Sequence, residues 1–354
     1  MHRHTIALLA AAALAVPLVG TAAPATARPA AERPFAKGLI TPLSMAVTPA
    51  GNVWVSENFV GNLARVRPGK DPKVFVHVKK GEVGAVSYRQ HVVTFAVTKN
   101  SGRTTIKQLD QDAQVTTLAN ISDFEAAENP DASTTYGVSG LAEECAAQWP
   151  TADFGPPSYT GIVESHPYAT AQAGGIVYVA DAAANAIFSV TGDGTVDTVA
   201  VLPPPEFVLS QELVTQLGLP DCVVGETYVG EPVPTDVEVG PDGSLWVTTL
   251  GGGFGEQIPL GHLFTLDPDT GDVTGDVADF VTPVGVAVTP EGDAYVSQLF
   301  ANTVMQLPAG SDTASAFKEP TMPAALEYRG GQLWASTNAL AEAPPFGKIV
   351  SWVA

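Results

Sequence analysis

Three carboxylates, Glu57, Asp181 and Asp236, and one histidine, His166, stand where they could do chemistry in a chain only 15 % charged. Two or three carboxylates with nearby neutral oxygens can hold a hard cation such as Ca2+. A histidine beside a carboxylate can act as a general base. Asn58, Tyr168, Asn185 and Gln298 add amide and hydroxyl groups that could orient a small ligand. Each also has a plainer reading. Asp181 and Asn185 in Asp-Ala-Ala-Ala-Asn can hold a tight turn, and a lone loop histidine is more often simply exposed. No serine or cysteine nucleophile motif, phosphate loop or clustered metal signature occurs, so no reaction class announces itself and catalysis stays open.

The elements that must position these residues are short strands. After Gly51, Gly175, Gly243, Gly292 and Gly331 the third residue on is Trp54, Tyr178, Trp246, Tyr295 and Trp334. The glycines close turns of the kind that join antiparallel strands, and a proline precedes each by eight or nine residues (Pro42, Pro167, Pro234, Pro283, Pro323). A degenerate sixth copy runs through Tyr88 to Phe95 without the glycine. A third strand recurs six times (Gly61/Leu63/Val66, Thr104/Ile106/Leu109, Asn185/Ile187/Val190, Gly261/Leu263/Leu266, Asn302/Val304/Leu307, Gly347/Ile349/Trp352). Fourth strands follow at residues 73–78, 114–121, 195–202, 272–280 and 314–318, but the sixth copy ends at Ala354 without one. Residues 33–39 have the place and length to fill it and remove an exposed edge. Four short strands per period of about 40 residues are the mark of a β-propeller. The expectation is an all-β, six-bladed β-propeller of NHL/SMP-30 type, its last blade closed by an N-terminal strand.

In such a ring the blade-to-blade connections and the second-to-third loops share one face, the top. Both long insertions, residues 122–165 and 203–232, are blade-to-blade connections; the loops 250–260 and 338–346 also lie on top. Binding usually resides where long loops cluster on a rigid scaffold. Cys145 and Cys222, the only cysteines, fall one in each insertion, so a disulfide joining them into a cap is expected. The residue six beyond each hairpin glycine (Glu57, Asp181, Thr249, Gln298, Thr337), with Thr98 in the degenerate copy, forms a polar ring at the top mouth. His166, Tyr168, Asp236 and Glu238, beside the prolines entering blades three and four, open onto it.

Residues 1–27 read as a cleaved signal peptide: Arg3, an apolar run from Ile6 to Gly20 and the small-x-small triplet Ala25-Thr26-Ala27. The mature chain, 28–354, is then a single exported propeller without membrane insertion. A net charge of −20 repels a phosphate backbone, which argues against nucleic acid as partner.

With the blades laid out, three strings resemble the ScyD/ScyE family of exported propeller proteins, named after the scytonemin pigment cluster. They are Phe124-Glu125-Ala126-Ala127-Glu128-Asn129-Pro130-Asp131; Glu164-Ser165-His166-Pro167-Tyr168 with the later Tyr178-Val179-Ala180-Asp181-Ala182-Ala183-Ala184-Asn185; and Val233-Pro234-Thr235-Asp236-Val237-Glu238-Val239-Gly240-Pro241-Asp242-Gly243. His166 stands where the family's pattern has Asn. The resemblance implies the propeller and export but supplies no catalytic residues. Two functions follow as expectations: a monomeric binding module holding a small molecule or protein partner under its cap, or a metal-dependent propeller enzyme of lactonase or lyase type. The second would use a divalent cation, Ca2+, on Glu57, Asp181 and Asp236.

Overall fold

The computed structural model describes residues 34–341 and 346–354; the leader expected at 1–27 and Arg33 lie outside them. The strands form seven four-stranded antiparallel sheets. Six follow one another along the chain. The first, for example, consists of Met45–Val47, Val53–Glu57, Asn62–Val66 and Lys73–His77 in that order. The first strands of these sheets (Met45–Val47, Gly81–Arg89, Pro167–Ala173, Pro234–Val239, Pro283–Val288, Leu326–Arg329) each touch the next, and the last touches the first. The sheets therefore close around an axis, and the fold is a β-propeller. Ala36–Leu39 pairs with Gly347–Val353 as the outer strand of the last sheet, burying Leu39 completely, as the missing fourth strand required.

Alternation along the strands explains how the sheets hold each other. Successive side chains point to opposite faces, so each sheet offers one apolar face to each neighbour. Trp54 and Leu63 of the first sheet pack with Val83, Phe95 and Leu109 of the second. Tyr178 of the third meets Val237 and Val247 of the fourth, Trp246 of the fourth meets the fifth, Tyr295 of the fifth meets the sixth, and Trp334 of the sixth meets the first. The aromatic at fixed offset is thus the wedge between a sheet and the one after it. The degenerate copy departs from this rule. Its hairpin turns on Gln90 and His91, both at positive φ (48° and 69°), without glycine. Phe95 sits one position later than the repeat demands, and a one-residue offset flips a side chain to the other face. Phe95 consequently packs backward on the first sheet, and Phe188 and the partly buried Phe124 fill the gap to the third.

The insertions are more than loops. Ser158–Thr160, Thr135–Gly137, Thr227–Val229 and Glu206–Val208 form the seventh sheet, two strands from each insertion. Helices at Ile121–Glu128 and Gln211–Leu217 flank it. Asn120 caps the first, its side-chain oxygen accepting from the Asp123 N–H, and Ser210 caps the second through the Leu213 N–H. Cys145 and Cys222 are bridged, with Cα atoms 5.9 Å apart. Around them Val138, Trp149, Leu209, Val214, Leu219 and Val223 build a core of the cap's own. No helix among the described residues is long and apolar enough to cross a membrane.

Candidate site at the axial mouth

Three members of the polar ring at the ends of the second strands, Glu57, Asp181 and Gln298, are engaged with the backbone. Glu57 Oε1 accepts from the Ile40 N–H at 2.9 Å and Oε2 from Asn62 Nδ2 at 2.8 Å. Gln298 Oε1 accepts from the Val281 N–H at 2.5 Å. Asp181, fully buried, accepts from Ser165 Oγ at 2.6 Å, the His166 N–H at 2.6 Å and the Ala184 N–H at 3.2 Å. One rule covers all three. Each side chain takes an otherwise orphaned N–H just before the proline that opens its sheet's first strand. The longer Glu57 and Gln298 reach the residue two before the proline, and the shorter Asp181 reaches the residue one before. Asn58 Oδ1 accepts from Ser56 Oγ at 2.5 Å, and Asn185 bridges Asp131 Oδ2 to the Val233 N–H at 3.0 and 3.1 Å. Among the described residues no three His, Cys, Asp or Glu side chains gather as metal ligands, so Glu57, Asp181 and Asp236 are not brought together.

A second set of groups lies deeper. Asp236 and Glu238 on the fourth sheet's first strand and Glu327 on the sixth's stand near one another at the axis. Burial raises Asp236 to about 7, although the Val286 and Val237 N–H groups donate to it at 2.7 and 2.9 Å. Burial and the neighbouring Asp236 push Glu327 to about 8, against the pull of Arg329. Glu238 is raised well above the usual carboxylate range by burial, then by Glu327 and Asp236. Beside Asp236 and Glu238, an axial space of about 10 Å³ is lined by Ser44, Thr170, Thr235 and Tyr168, room for roughly one water molecule. Hydroxyls stitch this channel wall together: the Val86 N–H donates to Ser44 Oγ, Thr170 Oγ1 to the Ala85 carbonyl and Thr235 Oγ1 to the Pro283 carbonyl.

His166 stands just before the strand Pro167–Ala173. Its Nε2 lies 3.3 Å from Glu82 Oε2, and its ring stacks on Tyr168 with centroids 4.8 Å apart. Burial works against its charged form, but the Glu82 hydrogen bond and the charges of Glu82, Asp181 and Glu164 outweigh it and raise its pKa. Burial, Glu82 and Glu256 push the Tyr168 hydroxyl up to about 12. Such a pair can hold or move a proton, and the acidic surroundings favour a positively charged or proton-donating guest. His166, Tyr168 and Asp236 drew notice in the sequence by their place beside the prolines. Glu82, on a neighbouring sheet, and Glu327 gave no sequence signal. A second cavity, about 360 Å³, opens on the opposite face between hairpins; Arg89, Gln108, Gln172 and Thr191 are among its lining, which includes no carboxylate or histidine.

No family model matches this chain, and neither does any curated protein. The fold itself is well populated among solved structures. A PQQ-bound aldose sugar dehydrogenase from Streptomyces coelicolor shares 14 % identity over 90 % of this chain and 96 % of its own, with a TM-score of 0.58. A putative oxidoreductase (glucose dehydrogenase) from Thermus thermophilus gives 0.55 at 14 % identity, covering 90 % of this chain and 98 % of its own. A streptogramin B lyase gives 0.50 at 14 % identity, covering 91 % and 86 %. At such identities the likeness extends to the propeller fold alone.

Proposed function

We propose that the protein is an exported, six-bladed β-propeller of ScyD/ScyE type that binds a small cationic ligand at the top mouth of its axial channel, beside the disulfide-linked cap. The observation that carries this reading is the axial column of carboxylates. Asp236, Glu238 and Glu327, on inner strands, lie close enough for each to feel the others' charge, with no Lys or Arg within ion-pair distance among the described residues; Tyr168 lines the same axial space as Asp236 and Glu238, and His166, stacked on Tyr168, lies beside Glu82. Buried like charges raise each other's pKa and reward any cation that reaches them. A disulfide in the cap fits export, since such bridges persist in oxidising compartments. The six sheets of the ring support the blade count. PQQ, the acidic quinone held by one fold neighbour, does not suit this mouth, which offers carboxylates where an anion needs cationic groups.

Calorimetric titration of the mature chain with putrescine, against neutral glycerol and anionic citrate, tests the proposal. Saturable binding of the diamine that the paired changes Glu82→Gln and Asp236→Asn weaken at least tenfold is the expected result. Equal response to citrate, or a ligand mapped to the opposite-face cavity, sinks it. One observation favours a second reading, acid–base catalysis of the lyase or lactonase kind: the His166–Glu82 pair, in which His166 is biased toward its protonated form. His166→Gln would then preserve ligand binding but abolish turnover.

A further inference from the structure

Four oxygen atoms outside the axial site stand buried without a hydrogen-bond donor: both carboxylate oxygens of Glu125, Oδ1 of Asn129 and Oδ1 of Asp131. Glu125 and Asp131 are each only 1 % exposed. A buried carboxylate facing nothing is among the costliest arrangements in a protein, so native structures pair such groups or let them hold a metal ion. We propose that Glu125, Asn129 and Asp131 hold a divalent cation of the Ca2+ class that fastens the first insertion onto the ring.

Each of the three side chains contributes to the arrangement in its own way. Glu125 and Asn129 are four residues apart, hence on one face of the helix Ile121–Glu128 and its C-cap. Asn129, at φ 38°, ends that helix and gives its Nδ2 to the Gly161 carbonyl at 3.2 Å, which leaves Oδ1 free. Asp131 is pinned at Oδ2 by Tyr136 Oη at 2.9 Å and Asn185 Nδ2 at 3.0 Å, which leaves Oδ1 free. Gly161 is needed at this spot, because a Cβ there would collide with Asp131 Oδ1. Two polar side chains are thus held at one end with the other oxygen unused.

The charge balance points the same way. The carbonyl end of a helix favours positive charge, yet the last turn of this one carries no basic residue. Among the described residues the side-chain ion pairs are His166–Glu82 and His262–Asp276, so neither Glu125 nor Asp131 has a cationic partner. Two carboxylates and a carboxamide form an all-oxygen donor set, suited to Ca2+ rather than to a softer metal, with backbone carbonyls and water completing the shell. The site is separate from the axial carboxylates and uses none of the three residues that the sequence nominated for calcium.

The test uses the mature, disulfide-bonded chain stripped with EDTA and titrated with Ca2+ by calorimetry. The expected result is one site per chain and a higher melting temperature with Ca2+. Glu125→Gln, nearly isosteric, and Asn129→Ala should each weaken Ca2+ binding at least tenfold while leaving putrescine binding at the axial mouth unchanged. Absence of Ca2+ binding to the stripped wild-type chain overturns the proposal. So does unchanged affinity in both variants, or loss of binding in Asp236→Asn instead.

Discussion

Replacing Asp181 by Ala separates a group that holds a turn from one that serves a ligand. The carboxylate is fully buried and accepts three hydrogen bonds, from Ser165 Oγ, the His166 N–H and the Ala184 N–H. Removing it strands three donors, each at about 1–3 kcal/mol when buried, a gross loss of about 3–9 kcal/mol. Part is recovered, because burial raises the pKa of Asp181 and the folded state no longer carries that disfavoured charge. The net expectation is a loss of about 3–5 kcal/mol. Asp181→Asn keeps one acceptor oxygen and should cost about half as much. Glu57→Ala strands only two donors, the Ile40 N–H and Asn62 Nδ2, in a less enclosed place, and should cost about 1–2 kcal/mol. Urea unfolding followed by circular dichroism reads these as a lower midpoint at unchanged slope. Putrescine binding should survive wherever the variants remain folded. Asp181→Ala that unfolds within about 0.5 kcal/mol of wild type, or that keeps its stability while losing the ligand, would refute the reasoning.

Four further outcomes are expected. A chain beginning after Leu39 loses the outer strand of the last sheet, uncovers the edge of Gly347–Val353 and should melt well below one beginning at Arg28; equal melting temperatures would show that the strand does not close the ring. Changing both Cys145 and Cys222 to Ser should loosen the cap before the ring, seen as faster hydrogen exchange at 205–230 than in the inner strands; the 77-residue separation sets an upper limit of about 4.5 kcal/mol on the stability lost. Stability without metal should fall as pH rises from about 4.5 to 8. Asp236, raised to about 7, and Glu327, raised to about 8, bind protons more tightly folded than unfolded, so their contribution is full below the unfolded carboxylate pKa and is lost as pH passes through the folded values. Glu327→Gln should flatten that slope and raise the melting temperature at pH 8, and a steeper slope in this variant would contradict the assignment.

The regular parts of this fold are written locally. A glycine that permits positive φ at the hairpin, an aromatic three residues on and an alternating strand are short-range features, and the same string repeated along the chain must stack on itself to bury its apolar faces. The closing strand follows from the count, because a sixth copy with three strands leaves one edge to be filled. The bridge between Cys145 and Cys222 follows from there being one cysteine in each insertion on the same face. Where the repeat is broken, the local signal fails: Phe95 is aromatic and near its place, but one residue of offset turns it to the other neighbour.

What the chemistry-bearing residues do was decided by the tertiary structure. Glu57, Asp181 and Gln298 read as a ring open to a ligand, yet each is taken up by the backbone of a segment about sixteen residues upstream, a pairing that exists only once the strands are in register. Orientation at the axis depends on irregularities after the entry prolines, such as the shift in pairing between Pro234 and Asp236, and no composition or spacing encodes them. Glu125 shows the same limit from the other side. In sequence it is one acidic residue on a short helix; only folding buries it beside Asp131 and Asp181 with no cation in reach, because a charge acquires its meaning from the groups that distant parts of the chain bring, or fail to bring, within a few ångströms of it.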